Sequence, residues 1–337
     1  NQDLHALLSS PTIANKNWVY KQYDHMVMTN TVVGPGSDAA VIRIKGKDKA
    51  VALTTDNNGR YCYLDPLKGG KIAVAEAARN IVCSGGRPLA ITDGLNFGNP
   101  MDPEIYWQFK NSVEGLTKAC KELETPVIGG NVSFYNESPK GAIYPTPIVG
   151  MVGLLDSIEE RVTMHFKDEG DLIYLLGRNK EELGASEYLA LKEDKIDGYV
   201  PEIDLKLEKR VQRSVREAVK EGIIKSAHDC SEGGLAVALA ESCFENELGI
   251  DVDLKDNIND KALLFGESQS RIVVSIDPAD SELLNEIAVN NGIPLKQIGQ
   301  TKGSMFKFND LIQLNVKEMK KNWETAKEII RKKPDIK

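Results

Sequence analysis

The stretch Pro88-Leu89-Ala90-Ile91-Thr92-Asp93-Gly94-Leu95-Asn96-Phe97-Gly98-Asn99-Pro100 reads as an apolar strand that delivers Asp93 and Asn96 into a glycine-rich loop. Apolar positions near helical spacing follow from about Pro103 to Leu123. Pro126-Val127-Ile128-Gly129-Gly130-Asn131-Val132-Ser133 then repeats the pattern of strand, two glycines and short polar side chains. Strand, helix, strand in that order make an α/β unit. Where two such loops converge, the glycines let phosphate oxygens approach the backbone. Asp93 and Asn131 would offer oxygen ligands to a cation, and Ser133 a hydroxyl donor.

Upstream, Val27 to Val33 and Ala39 to Ile44 are rich in β-branched residues and flank Gly34-Pro35-Gly36, which predicts strand, turn, strand; Ala50 to Thr54 adds another strand. Gly34-Pro35-Gly36-Ser37-Asp38-Ala39 formally fits a dinucleotide fingerprint, but that motif opens a helix. The residues after it are strand-like, so the stretch reads as a turn carrying an exposed acid, Asp38. Thr54-Thr55-Asp56-Asn57-Asn58-Gly59-Arg60 is a strand end with two readings. Either Asp56 and the asparagines serve Mg²⁺ while Arg60 meets a phosphate or carboxylate, or the segment is an Asx-turn with a solvated arginine. Leu67-Lys68-Gly69-Gly70-Lys71 reads as a glycine-rich turn entering an amphipathic helix, Ile72 to Val82, a generic anion site. A P-loop, G-x-x-x-x-G-K-[ST], is absent from the sequence.

Downstream, residues 156–169 read as a linker and Asp171 to Gly177 as a buried strand. A helix is predicted from about Ile203 to Glu221. Ser226-Ala227-His228-Asp229-Cys230-Ser231-Glu232-Gly233-Gly234 leads into a helix from Leu235 to Phe244, with a glycine pair where an anion could sit. Asp229 is a candidate ligand or a helix N-cap. His228 beside Cys230 does not make a nucleophilic pair, because neighbours in sequence are not neighbours in geometry.

A length of 337 residues suggests two domains, and 41% hydrophobic with 27% charged residues is the profile of a soluble globular chain. The chain carries no apolar run near the roughly 18 residues of a spanning helix, which argues against a membrane partner. A net charge of −8 argues against non-specific nucleic-acid binding. The five cysteines, Cys62, Cys83, Cys120, Cys230 and Cys243, are scattered without a C-x-x-C pair, which points to reduced thiols in the cytoplasm. The chain begins at Asn1 without a methionine and reads as an excised piece.

Four segments together resemble a known family: Trp18 to His25, Pro35 to Val41, Thr92 to Pro100 and Gly129 to Glu137. They are similar to the second half of the synthetase subunit of the formylglycinamidine ribonucleotide synthase (formylglycinamide ribonucleotide amidotransferase) family. His228 to Ala236 and Leu264 to Arg271 look like the second domain of that half. The resemblance implies an aminoimidazole ribonucleotide synthase-like α/β fold. Residues 1–155 would be an N-terminal domain contributing strands to a shared central β-barrel, and 170–315 a C-terminal α/β sandwich, with 316–337 a charged tail.

The activity it implies is ATP-dependent conversion of formylglycinamide ribonucleotide and ammonia to the amidine, ADP and phosphate, with Mg²⁺. Carried over residue by residue, Asp93 and Gly130 would touch ATP, Asn131 would ligate magnesium and Ser133 would touch substrate. The catalytic residues would lie in the missing first half, leaving this chain inactive alone. A second, structural ADP with magnesium would be lined by Asp56, Lys71, Asp229 and Glu267. The implied partners are the first half, a glutaminase subunit that supplies ammonia, a small bridging subunit, the ribonucleotide substrate, and a second copy of this half. The alternatives are a nucleotide-binding half without turnover, or another ATP enzyme of the superfamily.

Overall fold

The structure, a computed structural model, describes residues 1–332, with side chains through Thr325. Its first sheet holds β1 (Thr31–Val33), β2 (Ala40–Arg43), β3 (Ala50–Asp56), β4 (Arg87–Asn96) and β5 (Val127–Ser133). After a two-residue pairing of β6 (Glu137–Ser138) with β7 (Gly141–Ala142), β8 (Thr146–Leu155) returns to give the order β1-β2-β3-β8-β4-β5. Only Thr31–Val33 of the stretch predicted as strand from Val27 is extended. Val27–Thr29 is a 3₁₀ turn in which Met28 takes the left-handed conformation.

One face of this sheet is covered. Ala50, Ala52, Ile91, Leu95, Val149 and Met151 pack against Ala73, Val74, Ala77, Ala78 and Ile81 of α4 (Pro66–Cys83) and Leu116 and Ala119 of α5 (Pro103–Leu123). These follow α1 (Gln2–Leu8), α2 (Asn17–Tyr20) and α3 (Gly59–Leu64) in the chain. The opposite face is bare: Leu53, Ile128 and Ile148 are exposed, and every residue of the edge strand β5 but Ser133 is exposed.

Gly69 and Gly70 lie inside α4 and not in a turn before it. The helix begins at Pro66, capped by the Asp65 side chain, which accepts from the Lys68 amide at 3.0 Å. The glycines are there for packing. A Cβ on Gly69 would lie 2.6 Å from the Cys62 nitrogen, and one on Gly70 2.5 Å from the Ser112 carbonyl of α5.

The second sheet combines β9 (Leu172–Leu176), β10 (Ile224–Asp229), β11 (Ile250–Val252), β12 (Ile272–Ile276), β13 (Leu295–Thr301), β14 (Met305–Phe308) and β15 (Ile312–Asn315), in the order β10-β12-β9-β13-β11-β14-β15. Its helices are α6 (Glu187–Glu193), α7 (Leu205–Lys220), α8 (Gly234–Phe244), α9 (Asp260–Phe265), α10 (Ser281–Asn291) and α11 (Val316–Lys332). Alternation along β9 and β12 sends Ile173, Leu175 and Val273 into a core with α8, and Tyr174, Leu176, Ile272 and Val274 into a core with α7 and α10. The result is a helix–sheet–helix sandwich. Val82 and Cys83 at the end of α4 join the α7 core, so this helix is shared by both sheets.

Both ends of the chain depart from the expected division. Leu4, Leu7, Leu8 and Ile13, counted with the first domain, are buried in the second domain's core. The tail is a docked helix as far as its side chains are described: Val316 and Met319 are buried in the same core, Trp323 donates from Nε1 to the Ile13 carbonyl, and Asn322 donates to that of His5. Residues 333–337 of the predicted tail lie outside the described residues.

The crossing of α4 on α5 sets a steric limit. A Cβ at Gly115 would sit 2.3 Å from the Leu67 carbonyl oxygen. Gly115→Ala is expected to cost about 1–3 kcal/mol of stability, as overpacked sites do, seen as an earlier urea midpoint; an unshifted midpoint would show that the helices can part without cost.

Candidate functional site

The densest set of buried ionisable groups lies where the two sheets meet. Arg79 of α4 is fully buried, with Glu208 of α7 at 3.0 Å, Glu76 one turn back at 3.3 Å, Asp229 at the end of β10 at 3.5 Å, and a 3.0 Å hydrogen bond to Gln269. Burial opposes the guanidinium charge, but the surrounding carboxylates hold it protonated. One cation does not balance the acids around it. Burial raises the pKa of Asp56, Glu76 and Glu232, and burial against its neighbours pushes Asp229 up to about 7. Asp56 accepts from Asn80 Nδ2 at 3.1 Å.

Asp38, expected to be an exposed turn acid, has a side chain only 1% exposed. It bonds His228 Nδ1 at 2.9 Å, while Glu241 lies 3.3 Å from Nε2. Burial disfavours the His228 charge, but these two carboxylates overcome it and hold its pKa well above the ordinary imidazole value. His228 is thereby committed to carboxylates, and Cys230 is a buried thiol whose pKa burial raises. Asp38, His228 and Asp229 each present a ligand atom within 4.8 Å of the others, and Asp38 Oδ2 and Asp229 Oδ2 are buried without a hydrogen-bond partner. A cavity of about 480 Å³ opens beside them, lined also by Thr54, Thr55, Asn80 and Ser231. Excess buried acid, orphaned carboxylate oxygens and an adjoining cavity are the features a divalent cation needs.

The other predicted residues of this site fare differently. Glu267 is saturated by protein. Its carboxyl accepts the amides of Glu187 and Gly233 at 2.8 and 2.9 Å and is bonded by the Tyr61 hydroxyl. It thus occupies the start of α8, where the sequence pointed to an anion from outside, and Gly233, not Asp229, is the N-cap. Lys71 lies toward α5, where its charge reaches Glu114. Arg60 is not solvated but pairs with Glu187 at 2.6 Å, and Asn58 Oδ1 caps α3 by accepting the amides of Arg60 and Tyr61.

Asp93, Gly130, Asn131 and Ser133 fall within paired parallel strands and not in loops: Asp93 is opposite Gly130, Gly94 opposite Asn131, and Asn96 opposite Ser133. Gly130 is needed by contact, since a Cβ there would lie 2.0 Å from Asp93 Oδ1. Strand alternation puts Asp93 on the helix-covered face, where its charge reaches Cys120 of α5. Asn131, Ser133 and Asn96 share the bare face. The expected joint cation site of Asp93 and Asn131 therefore does not form on one face. Ser133 is held by Asn136, whose Nδ2 donates to the Ser133 carbonyl at 2.9 Å and to the Phe97 carbonyl at 3.0 Å.

Residues 36–155 match the family model described as AIR synthase related protein, N-terminal domain, and residues 168–306 match the corresponding C-terminal domain. The chain belongs to the AIR synthase related family. Among its curated relatives, the phosphoribosylformylglycinamidine synthase subunit PurL of Alkaliphilus metalliredigens is 52% identical over 327 residues, covering 96% of this chain and 44% of that protein. The same subunit of Moorella thermoacetica is 53% identical over 324 residues, covering 95% and 44%. The chain thus spans less than half the length of these AIR synthase related proteins. Among solved structures, T. maritima PurL complexed with FGAR superposes with a TM-score of 0.78 at 17% identity, over 95% of this chain and 53% of that one, a likeness of fold. T. maritima PurL complexed with ATP gives 0.60 at 26% identity, over 86% and 41%.

Sequence reading missed Glu76, Asn80 and Asp38 as members of the interface set. A helical signal did exist, since Glu76, Arg79 and Asn80 fall at i, i+3 and i+4, a polar stripe on an otherwise apolar helix.

Glu267 makes this interface pH-dependent. Burial pushes its carboxyl up from 4.5 to about 7. The folded chain therefore binds an extra proton between those values, and the stability this contributes is full below about pH 4.5 and lost as pH rises to about 7. Glu267→Gln keeps an acceptor for the two amides and a neutral donor toward Tyr61. It is expected to gain on wild type between about pH 5 and 8, by on the order of 3 kcal/mol in urea unfolding; parallel pH profiles would overturn the assignment.

Proposed function

We propose that this chain is the second half of an ATP-dependent ligase that converts formylglycinamide ribonucleotide to its amidine. The observation that carries the reading is 52–53% identity to two PurL subunits over 95–96% of the chain. An amide oxygen is a poor leaving group. In the proposed reaction it takes the γ-phosphoryl of ATP and ADP departs; ammonia then adds at the carbon and phosphate leaves with the former amide oxygen. Catalytic groups are assigned to the other half of the protein. Asp93 and Gly130 would contact ATP from the helix-covered side, and Asn131 a magnesium ion and Ser133 the substrate on the bare sheet face. The alternation of faces means that a ligand touching both Asp93 and Asn131 wraps the β5 edge.

Leu53, Ile128 and Ile148 on the bare face, with the unpaired edge of β5, are the surface proposed to meet the first half, or a second copy of this chain when that half is absent. Such a ligase draws ammonia from a glutaminase subunit joined through a small bridging subunit. A structure of PurLQS from Thermotoga maritima, 17% identical, has this fold. The five buried free thiols suit a reducing cytoplasm, and among the described residues no helix is long and apolar enough to cross a membrane.

The interface cluster is proposed as a second nucleotide position. Asp38 and Asp229, whose Oδ2 atoms have no partner, would hold Mg²⁺ there with Asn80, Asp56 and Glu76 beside them, and the phosphates would enter the adjoining cavity. Bound there, magnesium would supply positive charge to offset that of the phosphates. Ser231 and the Thr54–Thr55 strand end would position those oxygens, and Glu267 would hold the start of α8.

Acid denaturation of the purified chain is expected to release ADP and magnesium from wild type and Asn131→Ala but not from Asp229→Ala. The chain alone is expected to make no amidine from ATP, ammonia and substrate, and to do so when combined with the separately produced first half. Turnover by the chain alone would sink the half-enzyme reading, and absence of nucleotide in wild type, with no binding on titration, would sink the second position.

A further inference from the structure

A separate cavity of about 650 Å³ opens on the other side of the Asp56 strand end. Its walls come from α3, from the segment before β8 and from the residues that follow α6. Arg60, Tyr63, Tyr144 and Lys195 line it, with Asn58 and Glu232 also present. Tyr63 and Tyr144 form an edge-to-face pair, centroids 5.1 Å apart, yet both remain about half exposed and belong to none of the hydrophobic cores. Two exposed rings set together beside a cavity leave a π surface free for a planar ligand.

The charges beside them are specific in number. Arg60 is partly buried and its Nε has no hydrogen-bond partner, although the far end of its guanidinium meets Glu187 at 2.6 Å. Lys195 is exposed. Glu232 is engaged by Asn58 Nδ2 at 3.1 Å. Lys195 and the unpartnered Arg60 Nε offer donors for one phosphate group, while a longer phosphate chain would run toward the carboxylates of Glu232 and Asp194, which also line the cavity. The volume suits a ligand of mononucleotide size.

We propose that this cavity binds a nucleoside monophosphate, with its base against Tyr63 and Tyr144 and its phosphate between Arg60 and Lys195. The site is distinct from the cavity beside Asp229 and does not depend on the ligase reading. The two cavities share Thr12, but Thr54, Thr55 and Ser231 line one and Asn57, Asn58 and Glu232 the other.

Isothermal titration of the full chain with AMP, adenosine and inorganic phosphate tests the proposal. AMP is expected to bind one to one, with adenosine and phosphate each at least about tenfold weaker. Tyr63→Ala and Lys195→Ala, both at exposed positions, should each weaken AMP by roughly tenfold, the scale of one lost stacking or charged contact. AMP binding should also persist with excess ADP and Mg²⁺. The proposal is overturned if AMP does not bind at millimolar concentration, if neither variant changes its affinity, or if ADP with Mg²⁺ displaces it. Release of ADP from the purified chain is a separate measurement, so either site can fail without the other.

Discussion

A guanidinium with no access to water holds this molecule's two domains in register. Arg79 stands on the helix shared by both sheets, and its partners come from α4 itself, from α7, from the end of β10 and from the Gln269 segment. Burying such a charge is costly. Removing it alone would strand three carboxylates, a loss on the order of 3–5 kcal/mol for a broken buried pair. The same arrangement explains why acids collect nearby: each one that offsets Arg79 also raises the cost of charging the next. The cluster therefore holds more acids than its own cation can keep ionised, and an added cation would favour their charged forms.

The first sheet is built asymmetrically, and that asymmetry bears on assembly. Small residues of α4 and α5 close one face tightly enough that Gly70 and Gly115 have no room for a methyl group. The other face carries aliphatic side chains into open space and ends in an edge strand with unpaired backbone. Soluble chains seldom leave both a bare apolar face and a free edge on one sheet. The second sheet is covered by α8 on one side and by α7 and α10 on the other.

Much of this was legible in the residues. The α/β class, the helix over Pro103–Leu123, β3, α7 and α8 follow from periodicity and turn chemistry, and their bounds shift by only a few residues. The family-level fold agrees with the matched domain models. What sequence could not supply is which face a residue occupies once strands are paired. Asp93 and Asn131 look alike as acid and amide after an apolar run, but register separates them across the sheet. Burial was equally hidden. Asp38 sits among turn-forming residues and reads as exposed until His228, 190 positions away, is brought against it. Gly69-Gly70 reads as a turn because local propensity cannot anticipate a close helix crossing. Glu267 reads as a ligand only by the family resemblance, and nothing local reveals that the chain's own amides already satisfy it.

The contact between Gly130 and Asp93 changes what genetics can say about this strand. With 2.0 Å between an added methyl and a carboxylate oxygen, any side chain at position 130 displaces Asp93 or prises β5 from β4. A mutational scan would therefore score the position as intolerant in the resting protein, with or without a nucleotide present. Intolerance at Gly130 is evidence about strand pairing, and only substitutions at Asn131 and Ser133, whose side chains stand on the bare face, can report on a ligand.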